Sequence, residues 1–592
     1  MEEVSVLKFQ YDPEDGLYTR AEPLLEPGSA YEIYYYESQW GREFDKKTRP
    51  WTQGQRFDIQ CTWGRSSHGY SPFLRIGSTK GHILAVMVAW SGNWSISIDE
   101  HGAFQAEIPY KASEADGSDR SGTCCTKAAG DFPCVYIFSA ADGDWDKLTA
   151  KIHTYGRKHL YPPAKVLQVE WNPWWTFEDA LINEDVFLEN ARAARDLGVE
   201  LCTLDAGWYG ESGEIHWSRQ QGDWDIVNTE RFPHGLKFLS DHIHALGMAF
   251  GLWAEPEALG RESRLIREHP EFEAICRGRR YDNSYVCLGN SDGAKWLLDT
   301  LTHLLDTACP DWMKLDFNMD PGEGCTRTDH GHGAGDGLFW HYKAYYDILK
   351  KLRNKYPQLV IENCSSGGLR CDTAMFSLTH LTFLSDVDET SHSLDSFYEL
   401  SRFIPPEHIL HWAWSETRTY DDGSHAFEGF EIREDTPEDE IRYTLRAAML
   451  HVMGFSRNFA ALPENIREIF REEIRFYKTE VRPLLTRARV FHLLNADGGM
   501  ALQYQDGDRR LLFVFCKKDF VQCPLKIPPV HLKPEQAYNI KCRGTGNTLA
   551  DAGRRTGQQL MEEGISLLGE PKRAWIFQIK PLTDTETWED GI

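Results

Sequence analysis

Basic residues are scarce in this sequence relative to acidic ones. Lysine and arginine total 64 against 90 aspartates and glutamates, which leaves a formal net charge of −26 over 592 residues. A field of this sign repels phosphate backbones and anionic lipid headgroups. Nucleic-acid binding and membrane-surface binding are therefore excluded as leading functions.

Long apolar runs are missing too. No window approaches the roughly 18 consecutive apolar residues of a membrane-spanning helix. The first ten residues, MEEVSVLKFQ, carry two acids and neither a basic nor an apolar signal region. We therefore expect a cytoplasmic protein without a leader.

Cofactor and metal motifs are absent as well. No predicted strand runs into a GxGxxG turn, the TPP, NAD and ATP motifs are lacking, and the 14 cysteines show no CxxC spacing suited to zinc. No HxH or HExxH run follows a predicted strand, and DHGHG at 329–333 has the composition of a glycine-rich loop. We expect no cofactor and no metal, and cysteines that are buried in a reducing compartment.

Aromatic residues are abundant instead. They make up 12% of the chain and include 20 tryptophans. Large packed cores account for such a content, and so does sugar binding, because indole faces stack on the apolar faces of pyranose rings. Composition alone leaves both explanations open.

The pattern of apolar runs divides the chain into three regions. Residues 1–162 contain short runs rich in Tyr, Val, Ile and Trp between turn-forming clusters, which predicts an antiparallel β-sandwich. Residues 163–485 alternate eight short apolar runs with amphipathic stretches, which favours a (β/α)8 TIM barrel over an open doubly wound sheet. Residues 486–592 return to β-like runs, which predicts a small C-terminal antiparallel β-sandwich.

Polar and aromatic side chains follow seven of the predicted barrel strands. The carboxyl ends of barrel strands meet at one face, where active sites of such barrels lie, so these side chains should converge. A single acid at a strand end often caps the next helix, but seven such ends are difficult to assign to capping. The ends are Asn172–Trp175, Asp205–Trp208, Trp253–Glu257, Lys314–Asn318, Glu362–Ser366, Asp386–Asp388 and Trp412–Glu416.

Carboxylates that face one another across a tryptophan-lined cavity predict glycoside hydrolysis. The reaction needs one acid to protonate the leaving oxygen and a second carboxylate to attack the anomeric carbon or to activate water. The alternatives are barrel-end ion pairs and a carbohydrate-binding protein without catalysis.

Ordered motifs between residues 60 and 480 resemble glycoside hydrolase family 36, the microbial and plant α-galactosidases. The nucleophile motif KWDMN of that family is similar to MKLDFN at 313–318. The other matching segments are GRSSHGYSPF at 64–73, SGNW at 91–94, LGVELCTLDAGWYG at 197–210, QGDWDIV at 221–227, GMAFGLWAEPEAL at 247–259, ENCSSGGLRCD at 362–372 and LSDVDE at 384–389. The resemblance implies an N-terminal β-supersandwich, a catalytic barrel and a C-terminal β domain. It also implies a retaining, exo-acting α-galactosidase whose substrate is an oligosaccharide or glycoside.

The resemblance also implies roles for strand-end residues. Asp316 matches the nucleophile and Asp386 the acid/base, with the two carboxyl groups roughly 5–5.5 Å apart in a retaining enzyme. The residues alone do not distinguish Asp386 from Asp388, because side chains two positions apart on a regular strand point to the same face. The implied substrate contacts are Lys314 with sugar hydroxyls, Cys364 and Gly367 with the 2-hydroxyl, Asp205 with the 4- and 6-hydroxyls, Trp208 and Trp253 at the −1 site, Trp174 or Trp175 beside the leaving group, and Asn318 and Asp388 at their strand ends. Arg277, Arg279 and Arg280 compete for an arginine that the family uses before strand four.

Departures from the family pattern concern the glycone. The family has two consecutive aspartates where this chain has Asp205 and Ala206, so one carboxylate that would hold the 4- or 6-hydroxyl is missing. The alternatives are therefore an α-N-acetylgalactosaminidase, a β-L-arabinopyranosidase, another α-glycosidase, or a transglycosylase. Family members also form dimers or tetramers, which implies a homo-oligomer in which residues 64–73 help to wall a neighbouring site.

Overall fold

The computed structural model describes residues 4–12, 16–110, 132–165, 167–211, 216–544 and 550–582. Three structural regions follow one another along these residues: a pair of antiparallel sheets, a closed parallel barrel and a further antiparallel sheet. The fold class predicted from the sequence is thereby confirmed. No helix within the described ranges is long and apolar enough to cross a bilayer.

The N-terminal region is a sandwich of two antiparallel sheets. Its strands are β1 (Val4–Lys8), β2 (Gln10–Asp12), β3 (Gly16–Ala21), β4 (Tyr31–Ser38), β5 (Asp45–Trp51), β6 (Phe57–Cys61), β7 (Gly69–Tyr70), β8 (Phe73–Ser78), β9 (Ile83–Ala89), β10 (Trp94–Ile98), β11 (Phe104–Ile108) and β12 (Cys134–Ala140). One sheet has the order β1-β12-β9-β8-β4-β5, with β7 paired to β4, and the other has the order β2-β3-β11-β10-β6. Strand β9 is buried at every residue, whereas β10 alternates buried with half-buried residues.

Eight parallel strands close the central barrel. The strands between residues 170 and 455 are β13 (Glu170–Trp171), β14 (Leu201–Leu204), β15 (Ala249–Ala254), β16 (Ala258–Leu259), β17 (Ile275–Cys276), β18 (Arg279–Arg280), β19 (Ser284–Tyr285), β20 (Trp312–Leu315), β21 (Val360–Asn363), β22 (Leu381–Phe383), β23 (Ile409–Ala413) and β24 (Val452–Phe455). The barrel order is β13-β14-β15-β20-β21-β22-β23-β24. Strands β16 to β19 lie between β15 and β20, on the side that also carries the site, and form two short antiparallel pairs, β16 with β19 and β17 with β18.

Helices cover the barrel and join it to the outer sheets. They are α1 (Trp145–Tyr155), α2 (Trp174–Leu181), α3 (Glu184–Leu197), α4 (Gly235–Ala245), α5 (Arg264–Glu268), α6 (Ser291–Ala308), α7 (Gly337–Lys355), α8 (Thr373–Leu378), α9 (Thr390–Leu400), α10 (Glu438–Ala447), α11 (Glu464–Phe476), α12 (Arg482–Leu485) and α13 (Gly557–Glu563). The ends of helix α3 are set by its capping residues. The Asn183 side chain accepts a hydrogen bond from Val186 N, and Gly198 ends the helix at φ 99°.

The C-terminal region is built on one six-stranded antiparallel sheet and a second sheet of two strands. Its strands are β25 (Arg489–Ala496), β26 (Gly499–Asp506), β27 (Arg509–Cys516), β28 (Cys523–Ile527), β29 (Ala537–Arg543), β30 (Ala550–Thr556), β31 (Ile565–Gly569) and β32 (Arg573–Pro581). The sheet has the order β25-β26-β27-β32-β29-β30, and β28 pairs with β31. Packing of this sheet against the barrel includes helix α10 beside β32.

Candidate active site

A cavity of about 210 Å³ opens where the carboxyl ends of the barrel strands meet. Its walls combine six tryptophans with three carboxylates, one lysine and a few small or polar residues. The lining residues are Trp40, Trp174, Trp175, Asp205, Ala206, Trp217, Trp253, Lys314, Asp316, Asn318, Ser366, Asp386 and Trp412. Such a set offers apolar ring faces for stacking and charged groups for hydroxyls.

Asp316 lies just after strand β20, and its carboxylate is held by four donors. The backbone N–H groups of Phe317 and Ser366 donate to Oδ1, at 2.8 and 3.2 Å. Trp253 Nε1 and Asn318 Nδ2 donate to Oδ2, at 3.2 and 2.9 Å. The side chain is only 7% exposed, so the carboxylate is fixed in orientation while it still faces the cavity.

Asp386 faces the same cavity from the end of strand β22. Its Oδ2 accepts a hydrogen bond from Trp40 Nε1 at 3.0 Å. Loss of solvent and the negative charge of Asp316 raise the pKa of Asp386 to about 7, against the opposing effects of Lys314 and Trp40. A carboxyl group with such a pKa can hold a proton near neutral pH and can donate it.

Asp388 has different surroundings from Asp386. Strand β22 ends at Phe383, so the two aspartates do not lie on a regular strand and do not share a face. Asp388 is fully buried, and both of its carboxylate oxygens accept from Ser415, one from the backbone N–H and one from the hydroxyl. Burial raises its pKa to about 7 as well, but Asp388 does not line the cavity.

Lys314 and Asp205 form an ion pair at the floor of the cavity. Lys314 Nζ lies 3.4 Å from Asp205 Oδ2, which also accepts from Asn172 Nδ2 at 2.7 Å. Burial alone would lower the pKa of Lys314, but nearby carboxylates, Asp205 above all, outweigh it and hold the pKa well above its ordinary value. The ammonium also sits 4.5 Å from the centre of the Trp412 ring.

Glu170 and Glu362 lie below this ion pair inside the barrel and are fully buried. Burial raises the pKa of both carboxyl groups. Trp412 Nε1 donates to Glu170 at 2.9 Å, and Trp312 Nε1 donates to Glu362 at 2.8 Å. The barrel interior therefore holds the Lys314 ammonium with acidic groups around it. These buried polar groups form the floor of the cavity.

Glu255 is a further acid beside Asp316, behind the cavity wall. It accepts from the backbone N–H of Asn318 at 2.5 Å, and its other oxygen accepts from Asn318 Nδ2 and from Gln221 Nε2. Burial, followed by the charge of Asp316, raises the pKa of Glu255 to about 8. Glu255 thus positions Asn318, which in turn donates to Asp316.

The loop after strand β21 completes the wall next to both carboxylates. Ser366 has a positive φ of 47°, an uncommon conformation for a residue with a Cβ atom, and this backbone presents its N–H to Asp316. Gly367 follows at φ 75°, and a Cβ atom there would lie 2.5 Å from the backbone nitrogen of Asp386. Only glycine lets the two loops approach this closely.

The N-terminal domain supports this loop from the same chain. Arg65 is buried, and its guanidinium donates to Ser366 Oγ at 2.9 Å and to Asp320 Oδ1 at 2.9 Å. Ser67 Oγ donates to Gly368 O at 2.7 Å. These contacts bind segment 64–73 to the barrel of its own chain, and its expected role at a neighbouring site in an oligomer stays a prediction.

Six of the expected substrate contacts line the cavity and four do not. Trp174, Trp175, Asp205, Trp253, Lys314 and Asn318 line it, together with the expected catalytic pair. Trp208, Cys364, Gly367 and Asp388 are buried and are not among the residues that line it. Trp208, for example, is fully buried and donates from Nε1 to Trp253 O at 2.9 Å, so it supports a wall residue.

The three candidate arginines before strand β20 lie away from the cavity. They belong to the β17–β18 hairpin or its turn and are all exposed. Arg277 pairs with Glu323 and Arg280 pairs with Glu273. None of them lines the cavity.

Sequence reasoning did not select Trp40, Trp217, Trp412 and Ser366 as site residues. Trp412 was recognised as a strand end and Ser366 as part of a glycine-rich turn, so both carried a usable signal. Trp40 lies beyond β4 in the N-terminal domain and reaches Asp386 across 346 positions of sequence. No local pattern could have indicated that contact.

Known proteins place the chain among glycoside hydrolases. The Melibiase family model matches residues 132–487, more than half of the chain, and the model of the glycosyl hydrolase family 36 N-terminal domain matches residues 21–108. The α-galactosidase of Escherichia coli is 28% identical over 406 residues, which cover 64% of this chain and 54% of that enzyme. AgaA of Geobacillus stearothermophilus, also an α-galactosidase, is 24% identical over 574 residues, covering 91% of this chain and 72% of that enzyme.

Solved structures agree on the fold. The crystal structure of AgaA superposes with a TM-score of 0.79 at 21% identity and covers 96% of this chain and 76% of that chain. The chain spans about half the length of several of the curated relatives that it matches. With both family models matched in order and the barrel and its flanking sheets in place, the chain belongs to glycoside hydrolase family 36.

Proposed function

We propose that this chain is a retaining, exo-acting α-galactosidase-like glycoside hydrolase that removes terminal α-linked galactose or a close relative. The observation that carries the proposal is the pair Asp316 and Asp386 in one tryptophan-lined cavity, with the pKa of Asp386 raised to about 7. Double displacement requires one carboxyl group that donates a proton and a second one, in the same cavity, that attacks the anomeric carbon. The named relatives are α-galactosidases, and a variant of AgaA has been solved with stachyose, which supports the same substrate class.

In the first step Asp386 protonates the glycosidic oxygen while the Asp316 carboxylate attacks the anomeric carbon. The bond from that carbon to the leaving oxygen breaks, and a covalent ester forms between the sugar and Asp316. The donors to both oxygens of Asp316 hold its carboxylate in line for the attack. The leaving group departs as a neutral alcohol.

In the second step Asp386, now ionised, removes a proton from water. The oxygen of that water attacks the anomeric carbon and displaces the Asp316 carboxylate, so the sugar leaves with the configuration it had in the substrate. Asp386 recovers its proton, and both carboxyl groups return to their starting states.

Sugar recognition is assigned to the floor and walls of the cavity. Asp205 and Lys314 would meet hydroxyls at the far edge of the ring, since they lie together at the floor. Trp253 would stack on the sugar, because the hydrogen bond from its Nε1 to Asp316 holds the indole ring next to the proposed nucleophile. Trp174 and Trp175, at the start of α2, would face the leaving group, and Trp40 would face it from the N-terminal domain.

A glycone with a different C4–C6 edge is the second candidate, and Ala206 is the observation that favours it. Ala206 lines the cavity where the family pattern has a carboxylate. Neither nearby acid replaces it: Glu255 is engaged by Asn318 and Gln221, and Glu257 is bound to Arg370 and His341. A β-L-arabinopyranoside or another α-hexoside would therefore have free space beside its C4–C6 edge, at the position where the family pattern has a carboxylate.

A panel of p-nitrophenyl glycosides tests these assignments. It contains the α-galactoside, α-N-acetylgalactosaminide, β-L-arabinopyranoside and α-glucoside, with the Asp316→Asn variant as the control for contaminating activity. Turnover of the α-galactoside by the wild type alone, with release of the α-anomer first in NMR, supports the proposal. Transfer products with added alcohol or sugar would indicate a transglycosylase. Binding without hydrolysis of any member would mean a carbohydrate-binding protein and would overturn the proposal.

We also propose a cytoplasmic location and a homo-oligomer. Cys61, Cys202, Cys364 and Cys371 are buried free thiols, which is typical of a reducing compartment. A mass measurement in solution tests the homo-oligomer, and a monomeric mass at all concentrations would contradict it.

A further inference from the structure

A buried group of thiols and imidazoles lies outside the cavity, on the loops that follow barrel strands β15 and β20. We call it the Cys–His cluster. Its members are Cys287, Cys325, His330 and His332. All four residues are at most 5% exposed, and one ligating atom from each lies within 4.8 Å of those of the other three.

The distances within the Cys–His cluster match a single tetrahedral centre. Cys287 Sγ lies 3.2 Å from His332 Nε2, and Cys325 Sγ lies 3.6 Å from His330 Nδ1. Zinc bonds of about 2.3 Å to sulfur and about 2.0–2.1 Å to nitrogen place tetrahedral S and N ligands about 3.6 Å apart. A zinc ion therefore fits between these atoms with small adjustments of the side chains.

The surroundings of the two histidines prepare them as ligands. His332 Nδ1 lies 2.8 Å from Gly333 O, so it carries the proton and leaves the lone pair of Nε2 free toward Cys287. His330 Nδ1 faces the Cys325 thiol, and its Nε2 is buried without a hydrogen-bond partner among the described residues. Gly289 makes room for the His332 ring, since a Cβ atom there would lie 2.5 Å from its Cδ2.

We propose that the Cys–His cluster binds one structural zinc ion. Two thiolates balance the charge of the dication, and two neutral imidazoles complete a Cys2His2 set, the composition typical of structural zinc sites. Four protein ligands leave no open position for water or substrate, so the ion takes no part in the glycosidic reaction. None of the four side chains lines the active-site cavity.

The zinc ion would add a further link between two segments that hydrogen bonds such as Tyr281 Oη to Pro321 O already join. Cys287 precedes helix α6, whereas Cys325, His330 and His332 lie between strand β20 and helix α7. The second segment begins at the Asp316 loop and also contains Asp320, which Arg65 holds from the N-terminal domain. A metal on one side and Arg65 on the other would thus fix the loop that carries the proposed nucleophile.

Metal content tests the proposal directly. The full chain is produced with zinc in the medium and freed of loosely bound metal. Inductively coupled plasma mass spectrometry should then find about one zinc ion per chain. Cys325→Ser and His332→Ala should each reduce the apparent zinc affinity at least about 100-fold, because a lost ligand costs more than a lost supporting contact. Cys202→Ala, which removes another fully buried thiol in strand β14, should keep its zinc.

Cobalt provides a readout that needs no variant, in case the ligand variants do not fold. The wild-type chain, stripped by a chelator and shown by circular dichroism to be folded, is titrated with Co²⁺. Thiolate-to-cobalt charge transfer and the intense d–d bands of tetrahedral cobalt are expected, and Zn²⁺ should abolish both. A wild-type chain that contains no zinc and gives only the weak bands of six-coordinate cobalt would overturn the proposal.

Discussion

Asp386 carries the pH dependence of the proposed reaction, because it must donate a proton to the leaving group. Its pKa of about 7 means that the protonated form is present below that pH and is lost as the pH rises through it. We therefore expect kcat/KM to fall on the basic side of about pH 7. In Asp386→Asn this basic limb should disappear.

Asp386→Asn should also separate substrates by their leaving groups. Poor leaving groups need the proton, so their kcat/KM should fall by about 100- to 10,000-fold, whereas activated aryl glycosides should lose less in the glycosylation step. Asp388→Asn is the matched control, since Asp388 is a buried acid that Ser415 holds outside the cavity. If Asp388→Asn shows this pattern and Asp386→Asn does not, the acid/base assignment is wrong.

Asp316→Ala should lower turnover at least about 1000-fold, because no other group in the cavity can form the covalent intermediate. Added azide should restore turnover by entering the face that the carboxylate has left, and the product should be a β-glycosyl azide. NMR of the product identifies the anomer. An α-configured azide would place Asp316 in the acid/base role.

Ala206→Asp tests the glycone. If the natural substrate is an α-galactoside, one regained charged hydrogen bond should raise kcat/KM for p-nitrophenyl α-galactoside by about tenfold. If the natural glycone has another C4–C6 edge, the same change should improve the galactoside and impair the natural substrate. Unchanged or lower galactoside turnover would remove the reason to suspect altered specificity.

At the scale of elements, the loop between strands β4 and β5 brings a distant tryptophan to the acid/base. Trp40 Nε1 donates to Asp386, and such a donor favours the ionised carboxylate and lowers its pKa. In Trp40→Phe the pKa of Asp386 should rise, and the basic limb of kcat/KM should move up by about 0.5–1 pH unit. A pH series of initial rates measures the shift.

Trp63→Phe serves as the control for this change. Trp63 is also a large exposed aromatic residue of the N-terminal domain, but it stacks on His68 and does not line the cavity. Its pH profile should match the wild type. An unchanged profile in Trp40→Phe would mean that the hydrogen bond to Asp386 has no influence on catalysis.

At the scale of the whole molecule, a buried glutamate joins the barrel helices to the C-terminal sheet. Glu473 in helix α11 is fully buried and accepts from Arg442 and Arg446 of α10 and from Arg543 of β29. Burial alone would raise the pKa of Glu473, but Arg446 and Arg543 outweigh it and hold the pKa below its ordinary value. Its negative charge thus compensates several buried cations at a domain junction.

Glu473→Gln should destabilise the chain by about 3–5 kcal/mol, because it removes the buried negative charge that Arg442, Arg446 and Arg543 share. Glu468→Gln, on the exposed side of the same helix, should change stability by less than about 0.5 kcal/mol. Thermal unfolding at neutral pH compares the two. Equal melting temperatures would show that the junction does not depend on this charge.

The pH dependence of that stability has a definite sign. The folded pKa of Glu473 lies below its unfolded value of about 4.3, so its contribution is present above about pH 4.3 and is lost as the pH falls through the folded pKa. The difference in melting temperature between wild type and Glu473→Gln should shrink in acid.

The domain limits at 162/163 and 485/486 remain predictions that limited proteolysis can test.

The sequence by itself determined the order of elements and the polar residues that follow the barrel strands. Runs rich in Tyr, Val, Ile and Trp and eight short apolar runs between amphipathic stretches are local signals, so they predicted the sandwich, the barrel and the face where Asp205, Asp316 and Asp386 meet. The same local reasoning could not separate Asp386 from Asp388, because the answer depends on where strand β22 ends.

Only the tertiary structure decided which distant side chains meet. Trp40 reaches Asp386 from another domain, and the Cys–His cluster joins Cys287 to three residues that lie more than thirty positions further along the chain. No metal was expected from the sequence, because its cysteines and histidines show no recognised spacing. Contacts of this kind depend on how the barrel loops and the N-terminal sandwich pack together, and packing between distant segments leaves no periodic trace in the sequence.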